Sequence, residues 1–101
     1  MSILGFLFKK KKKLTEEFLR RNAIIIDVRT AEEYVNGAII GSRNFPLQSL
    51  GNYINEIKAF NKPIITCCAS GVRSGIASKL LRRHNIEVIN GGSWHNLNAK
   101  L

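Results

Sequence analysis

The sequence predicts an α/β domain, a mostly parallel sheet with helices on both faces, and three observations predict it. From Leu14 onward, β-branched runs alternate with helix-length segments, the order of a parallel sheet joined by helical crossovers. The runs "AIIIDV" and "NKPIITCC" are continuously apolar rather than alternating, as strands covered on both faces are. Capping residues and glycine breaks fall between these segments.

Taken in order, "LTEEFLRRN" reads as a short helix capped by Thr15, with Glu16 and Glu17 at its positive start and Arg20 and Arg21 at its negative end. "AIIIDV" is the first buried strand. "TAEEYVNG" is a short helix with Thr30 and Glu33 as a capping box and Gly37 as its stop. "AIIGSRNFP" is a short extended segment ended by Pro46. "LQSLGNYINEIKAF" is helical, with Leu47, Leu50, Ile54 and Ile57 on one face and Gly51 as a weak point. "NKPIITCC" is the second buried strand, opened by Pro63. "SGIASKLLRRHN" is the strongest helix, with Ile76, Ala77, Leu80 and Leu81 assigned to its core side. "IEVIN" is a third strand, Gly91-Gly92 a turn, and "SWHNLNAKL" a terminal helix.

The chain has 101 residues, enough for one small domain, with 45% hydrophobic and 23% charged residues. Its net charge is +9, but five positive charges form the run Lys9 to Lys13, so the remainder carries 9 − 5 = +4. A block of charge in a leader, rather than basic residues interleaved with aromatics on a folded face, argues against nucleic-acid binding. Residues 1–13 are therefore expected as a flexible apolar and polylysine leader, and residues 14–101 as the domain.

Within that leader, Ile3 to Phe8 is too short to cross a bilayer, and its lysines come after the apolar stretch rather than before it as in a secretory signal. The expected state is a solvated leader that packs a few apolar residues on the domain. The alternative is a weak contact of Lys9 to Lys13 with an anionic membrane surface. With no export signal and only two, adjacent cysteines, the chain reads as cytoplasmic, with free thiols and no disulfide framework. His84 and His95 stand at no spacing that would complete a zinc site with Cys67 and Cys68, so no metal and no cofactor are expected.

The chemistry concentrates in "CCASGVRS". A strand ends at Cys67-Cys68, the small or flexible Ala69, Ser70, Gly71 and Val72 come next, and Arg73 and Ser74 lead into the strongest helix. Backbone N–H groups at a helix start attract an anion, so a thiol held there is lowered in pKa and activated as a nucleophile. Arg73 can add a fixed charge and Ser74 a cap or a hydrogen bond. On spacing alone, a buried inert Cys68 beside an ordinary turn stays open as well. Asp27 and Arg29, at the end of the first strand, are expected on the same sheet edge as a supporting ion network. Trp94 reads as a core or rim aromatic, and His95, Arg43 and Arg82-Arg83 as surface groups.

The chain resembles the single-domain rhodaneses, a family of sulfurtransferases. "IIIDVRTAEEYVNGAIIGSRNFP" is similar to the family's first motif, "CASGVRS" to its Cys-x-x-Gly-x-Arg-Ser active loop, and "INGGSW" to its closing glycine pair and nearby tryptophan. Together the blocks cover about residues 14 to 97. The resemblance implies a rhodanese-like three-layer domain with a mostly parallel five-stranded sheet. It implies that Cys68 takes a sulfane sulfur from thiosulfate, polysulfide or another persulfide and passes it to cyanide, a small thiol or a protein acceptor. The loop from Cys68 to Arg73 would wrap the persulfide.

A module that carries sulfur to a partner protein without turnover on small molecules is the alternative. An inactive regulatory domain is disfavoured because cysteine and arginine are both present. Phosphatase and arsenate reductase chemistry is disfavoured because only four residues separate Cys68 from Arg73, one fewer than in the related phosphatase loop. The family's Gly-His-Ile is Gly37-Ala38-Ile39 here, which implies loss of a local hydrogen bond. Cys67 is expected on the opposite face from Cys68, buried and inert.

Overall fold

The computed structural model describes residues 2–101. Its sheet has four parallel strands, β1 (Ile24–Asp27), β2 (Arg43–Asn44), β3 (Ile64–Cys68) and β4 (Val88–Ser93), in the order β2-β1-β3-β4. The fold class is the expected one, with four strands among the described residues where the resemblance implied five. The five helices are α1 (Ile3–Arg20), α2 (Ala31–Val35), α3 (Ile54–Ala59), α4 (Val72–Arg83) and α5 (Trp94–Asn98). A 3-10 segment, Leu47–Tyr53, leads into α3.

Strand alternation divides the core into two layers. Ile26, Ile64, Cys68 and Val88 face Leu50, Ile57, Ala77 and Leu81, under the 3-10 segment, α3 and α4. Ile65 and Cys67 face Phe18, Ile39 and Leu97, under α1 and α5. Each β-branched strand residue thus meets a helix on one side or the other, which is why these runs read as continuous rather than alternating. After β1 the chain adds β2 on one side and β3 on the other, so the strand order reverses between β1 and β3. In such sheets the crevice beyond the carboxyl ends at that reversal is where ligands bind. Asp27 pairs in register with Cys67 there, so Asp27, Arg29 and both cysteines share that edge.

Several expectations are corrected. The helix expected to begin at Thr15 begins at Ile3, capped by Ser2, whose hydroxyl accepts the Gly5 N–H. Thr15 is not a cap: it is buried, and its hydroxyl donates to the Lys11 carbonyl. "LQSLGNY" winds as 3-10 rather than α-helix, and no side chain caps it at Pro46. Ile76 points to solvent, and Ser74 and Ser78 take buried places on α4 beside Ala77 and Leu81, because α4 presents its narrow, small-residue face to β3 and β4. Gly91-Gly92 is not a turn but the carboxyl half of β4, where the ladder with β3 shifts between Thr66 and Cys68.

The Thr30–Glu33 capping box of α2 forms as expected, with each side chain bonded to the other's backbone N–H. Glycine is required at position 91 for lack of room. A Cβ there would lie 2.7 Å from Ile65 Cγ2 and 2.8 Å from the Thr66 carbonyl oxygen. Gly51 has nothing within 4 Å of the same position. Gly91→Ala is therefore expected to destabilise by about 1–3 kcal/mol, lowering the thermal midpoint by roughly 4–8 °C per kcal/mol, whereas Gly51→Ala raises it slightly. An unchanged midpoint for Gly91→Ala would show that β4 can move away from β3.

Candidate active site

The loop after β3 is shaped by one left-handed residue. Gly71 has φ 103° and precedes α4, a conformation that a side chain would strain. It also packs close to Gly92, whose Cα would lie 3.3 Å from a Cβ on Gly71. This turn aims the backbone N–H groups back at the end of β3. Gly71 N–H donates to Cys68 Sγ at 3.0 Å and Ser74 N–H at 3.4 Å. The Ser74 hydroxyl lies 3.3 Å from the same sulfur. Thr66, one pleat below, donates from its hydroxyl to the Ser74 carbonyl at 2.9 Å and so ties the first turn of α4 to β3.

The two cysteines diverge electrostatically. Burial pushes the Cys68 thiol up, but hydrogen bonding with the Ser74 hydroxyl and with the backbone N–H groups of Ser74, Gly71 and Ser70 outweighs it, and its pKa ends below the ordinary value. Burial, then the Asp27 carboxylate, pushes Cys67 up to about 12, so it stays a neutral thiol at physiological pH. Both cysteines are free, and their side chains lie in opposite core layers. Cys68 is 0% exposed, at the floor of a loop whose rim is the exposed Ala69, Ser70 and Val72.

Arg73 does not turn into the loop. Its guanidinium grips Glu33 with two bonds of 2.7 and 3.0 Å and so ties the start of α4 to the capping box of α2. The hydrogen bond to Arg73 holds the Glu33 carboxyl down at about 2. Arg29 and Asp27 form a buried pair, with NH2 to Oδ2 at 2.7 Å, and Arg29 also donates to the Gly37 carbonyl at 2.7 Å. Its guanidinium lies 4.8 Å from the Trp94 ring, and the exposed His95 stacks on that ring. These pairs surround the loop without contacting Cys68 Sγ. Asn44, from the Asn-x-Pro segment, donates to the carbonyls of Asp27 and Arg29 and anchors the same edge.

Asn90 escaped the sequence reading because it stands in a strand, beyond the quoted loop. Its amide Nδ2 donates to the Gly71 carbonyl at 3.0 Å, and its Oδ1 accepts from Gly92 N–H at 2.9 Å and from the Ser74 hydroxyl at 2.7 Å. One side chain therefore holds both the left-handed glycine and the serine that sits on the sulfur. The available signal was its place immediately before the glycine pair that opens room beside the loop. At the opposite edge of the sheet, a groove of about 400 Å³ bordered by Arg21, Lys58, Lys62 and Glu87 contains neither cysteine.

The comparisons with known proteins agree with this geometry. The family model described as the rhodanese-like domain matches residues 10–96. An uncharacterized Bacillus subtilis protein, YqhL, is 40% identical over 87 residues, covering 81% of this chain and 68% of that one. The thiosulfate sulfurtransferase GlpE of Shewanella oneidensis is 28% identical over 80 residues, covering 74% of this chain and 78% of that one. Among solved structures, a rhodanese-like domain protein from Staphylococcus aureus superposes with a TM-score of 0.69 at 27% identity, over 82% of this chain and 86% of that one. With a parallel sheet, a cysteine loop at its carboxyl edge and a match over most of its length, the chain belongs to the rhodanese-like domain family.

Proposed function

We propose that this protein is a sulfurtransferase that moves sulfane sulfur through a persulfide on Cys68. The observation that carries the reading is the pair of backbone N–H groups converging on the Cys68 sulfur, with the Ser74 hydroxyl beside it, in a site where the pKa is lowered although the residue is fully buried. The Cys68 thiolate attacks the outer sulfur of a donor such as thiosulfate. The S–S bond of the donor breaks, its electron pair leaves with sulfite, and a Cys68 persulfide forms. A thiolate or cyanide then attacks the terminal sulfur, and the pair of the broken S–S bond restores the Cys68 thiolate.

Burial of Sγ suits this chemistry in both halves. A donor with its sulfur on a slender stalk can reach the floor of the loop. Once loaded, the outer sulfur sits roughly 2 Å further out, nearer the mouth. A terminal persulfide is an anion, and the inward N–H groups solvate it in place of water. Ala69, Ser70, Gly71, Val72 and Arg73 supply the wall of this cradle, with Arg73 acting through its grip on Glu33.

A protein acceptor is favoured by one observation. Val72 and Ile76, one turn apart on the first turns of α4, are 68% and 54% exposed beside the loop mouth. An apolar pair at that place fits a docking protein better than a small anion. The GlpE-like role in thiosulfate turnover and delivery to a protein thiol use the same loaded state.

Three measurements test the reading. Intact mass after thiosulfate or polysulfide should rise by one sulfur in the wild type and not in Cys68→Ser, which should also lose thiosulfate:cyanide transfer; equal turnover by that variant would sink the assignment. The rate of Cys68 alkylation should climb with pH as the thiolate forms, with its midpoint below that of an ordinary free thiol, because the folded pKa is lowered. Asn90→Asp sets a carboxylate against Ser74 in place of an amide. It should raise the alkylation midpoint by about one unit, since a nearby anion opposes the thiolate. An unmoved midpoint would mean that Asn90 holds the backbone without influencing the sulfur.

A further inference from the structure

The first turns of α1 are unaccounted for by the sulfur chemistry. Ile3, Leu4, Phe6, Leu7 and Phe8 are between 51% and 80% exposed, so the apolar residues of the leader do not pack on the domain. Only from Thr15 onward does the helix bury side chains, with Thr15 and Phe18 buried and Leu19 half-buried beside Ile65 and Cys67. Five large apolar side chains presented together to water in a small domain mark a contact surface.

The lysine run next to them defines the partner. Lys9, Lys10, Lys11, Lys12 and Lys13 are successive residues of one helix and step around its axis at about 100° each, so together they encircle it. The helix is divided along its length: an apolar end, then a cationic collar, with its acids, Glu16 and Glu17, beyond the collar. A hollow of about 270 Å³ bordered by Phe6, Lys9, Lys10 and Lys13 is walled mostly by carbon, that is by the Phe6 side chain and the lysine stems. The first carbons of an acyl chain fit such a hollow, and the exposed lysine ends around it are left to meet the phosphate of the headgroup. A nucleic acid would use the lysines but leave the five apolar side chains without a role.

We propose that the amino-terminal half of α1 docks the protein on an anionic lipid bilayer. Ile3 to Phe8 enter the boundary between headgroups and acyl chains, and the lysine collar lies at phosphate level. Six residues rise about 9 Å, enough for that boundary and far short of a span; no helix among the described residues is long and apolar enough to cross a membrane. The docking sets an orientation. Arg21, just after α1, leads into the amino end of β1, whereas the Lys11 ammonium lies 3.8 Å from where a Cβ on Gly92 would stand, beside the active loop. The helix thus runs antiparallel to the strands, and its apolar turns project past the edge that holds Cys68. The bilayer-bound protein would turn its cysteine loop toward the lipid surface.

Co-sedimentation of the full chain with vesicles tests this. Retention should be more than about tenfold greater on phosphatidylcholine mixed with phosphatidylserine than on phosphatidylcholine alone, and should weaken as salt rises. Leu7→Glu with Phe8→Glu, and separately Lys9, Lys10, Lys12 and Lys13→Gln, should each abolish most of that retention. Circular dichroism and persulfide formation by the Leu7→Glu, Phe8→Glu form should stay at wild-type level. The proposal fails if both vesicle types retain the protein equally, or if the Leu7→Glu, Phe8→Glu form binds as well as the wild type. It also fails if the chain sediments without vesicles as a self-associated species, or if single-stranded RNA binds more tightly than the anionic vesicles at equal salt.

Discussion

Removing a sulfur anion from water is costly unless other dipoles replace the solvent, and the whole carboxyl edge of this sheet is arranged around that replacement. The donors are mostly backbone N–H groups, which cannot be repositioned by rotating a side chain. They have to be aimed by the path of the chain itself. Gly71 in a left-handed conformation makes the turn and donates its own N–H to the sulfur, and α4 begins immediately after it with the Ser74 N–H of its first turn facing the same atom. The turn in turn needs room, which the bare backbone of β4 at Gly92 provides. Asn90 then closes the arrangement from the neighbouring strand, with both its amide oxygen and its amide nitrogen engaged.

The charged residues of the edge serve this geometry from outside. Arg29 and Asp27 are deeply buried, and breaking such a pair typically costs several kcal/mol because it strands a charge. Their bonds to the Gly37 carbonyl and to the turn after β1 hold α2 against the sheet. Arg73 and Glu33 are more exposed, and their contribution is positional: they fix where α4 starts relative to α2. Two arginines flank the loop, yet both guanidiniums are already engaged by carboxylates, so the local field at the sulfur is set chiefly by dipoles.

Much of this was legible in the sequence. The buried strands announced themselves because every position of "IITCC" contacts a helix layer, and the capping box of α2 is encoded within four residues, Thr30 to Glu33. Cys68 and its loop were legible because the turn, the helix start and the thiol are contiguous. What could not be read was set by distant partners. Arg73 read as a fixed charge for the loop, but Glu33, forty positions away, engages its guanidinium instead. Ile76 fitted the apolar periodicity of α4, but Ala77 and Leu81 with two buried serines fill the narrow space over β3 and β4, which leaves Ile76 outside. The glycine pair looked like a turn because room for a neighbouring chain and freedom to bend ask for the same residue.

The adjacency of the two cysteines has a consequence for timing. A strand sends neighbouring side chains to opposite faces, so Cys67 lies in the layer beneath α1 and α5, neutral and turned from the loop. A sulfur loaded on Cys68 would have no internal drain: no thiol of the same chain is poised to discharge it as a disulfide. The lifetime of the loaded state would be governed by encounters with outside molecules, and the domain would behave as a one-place store that empties only on collision with an acceptor.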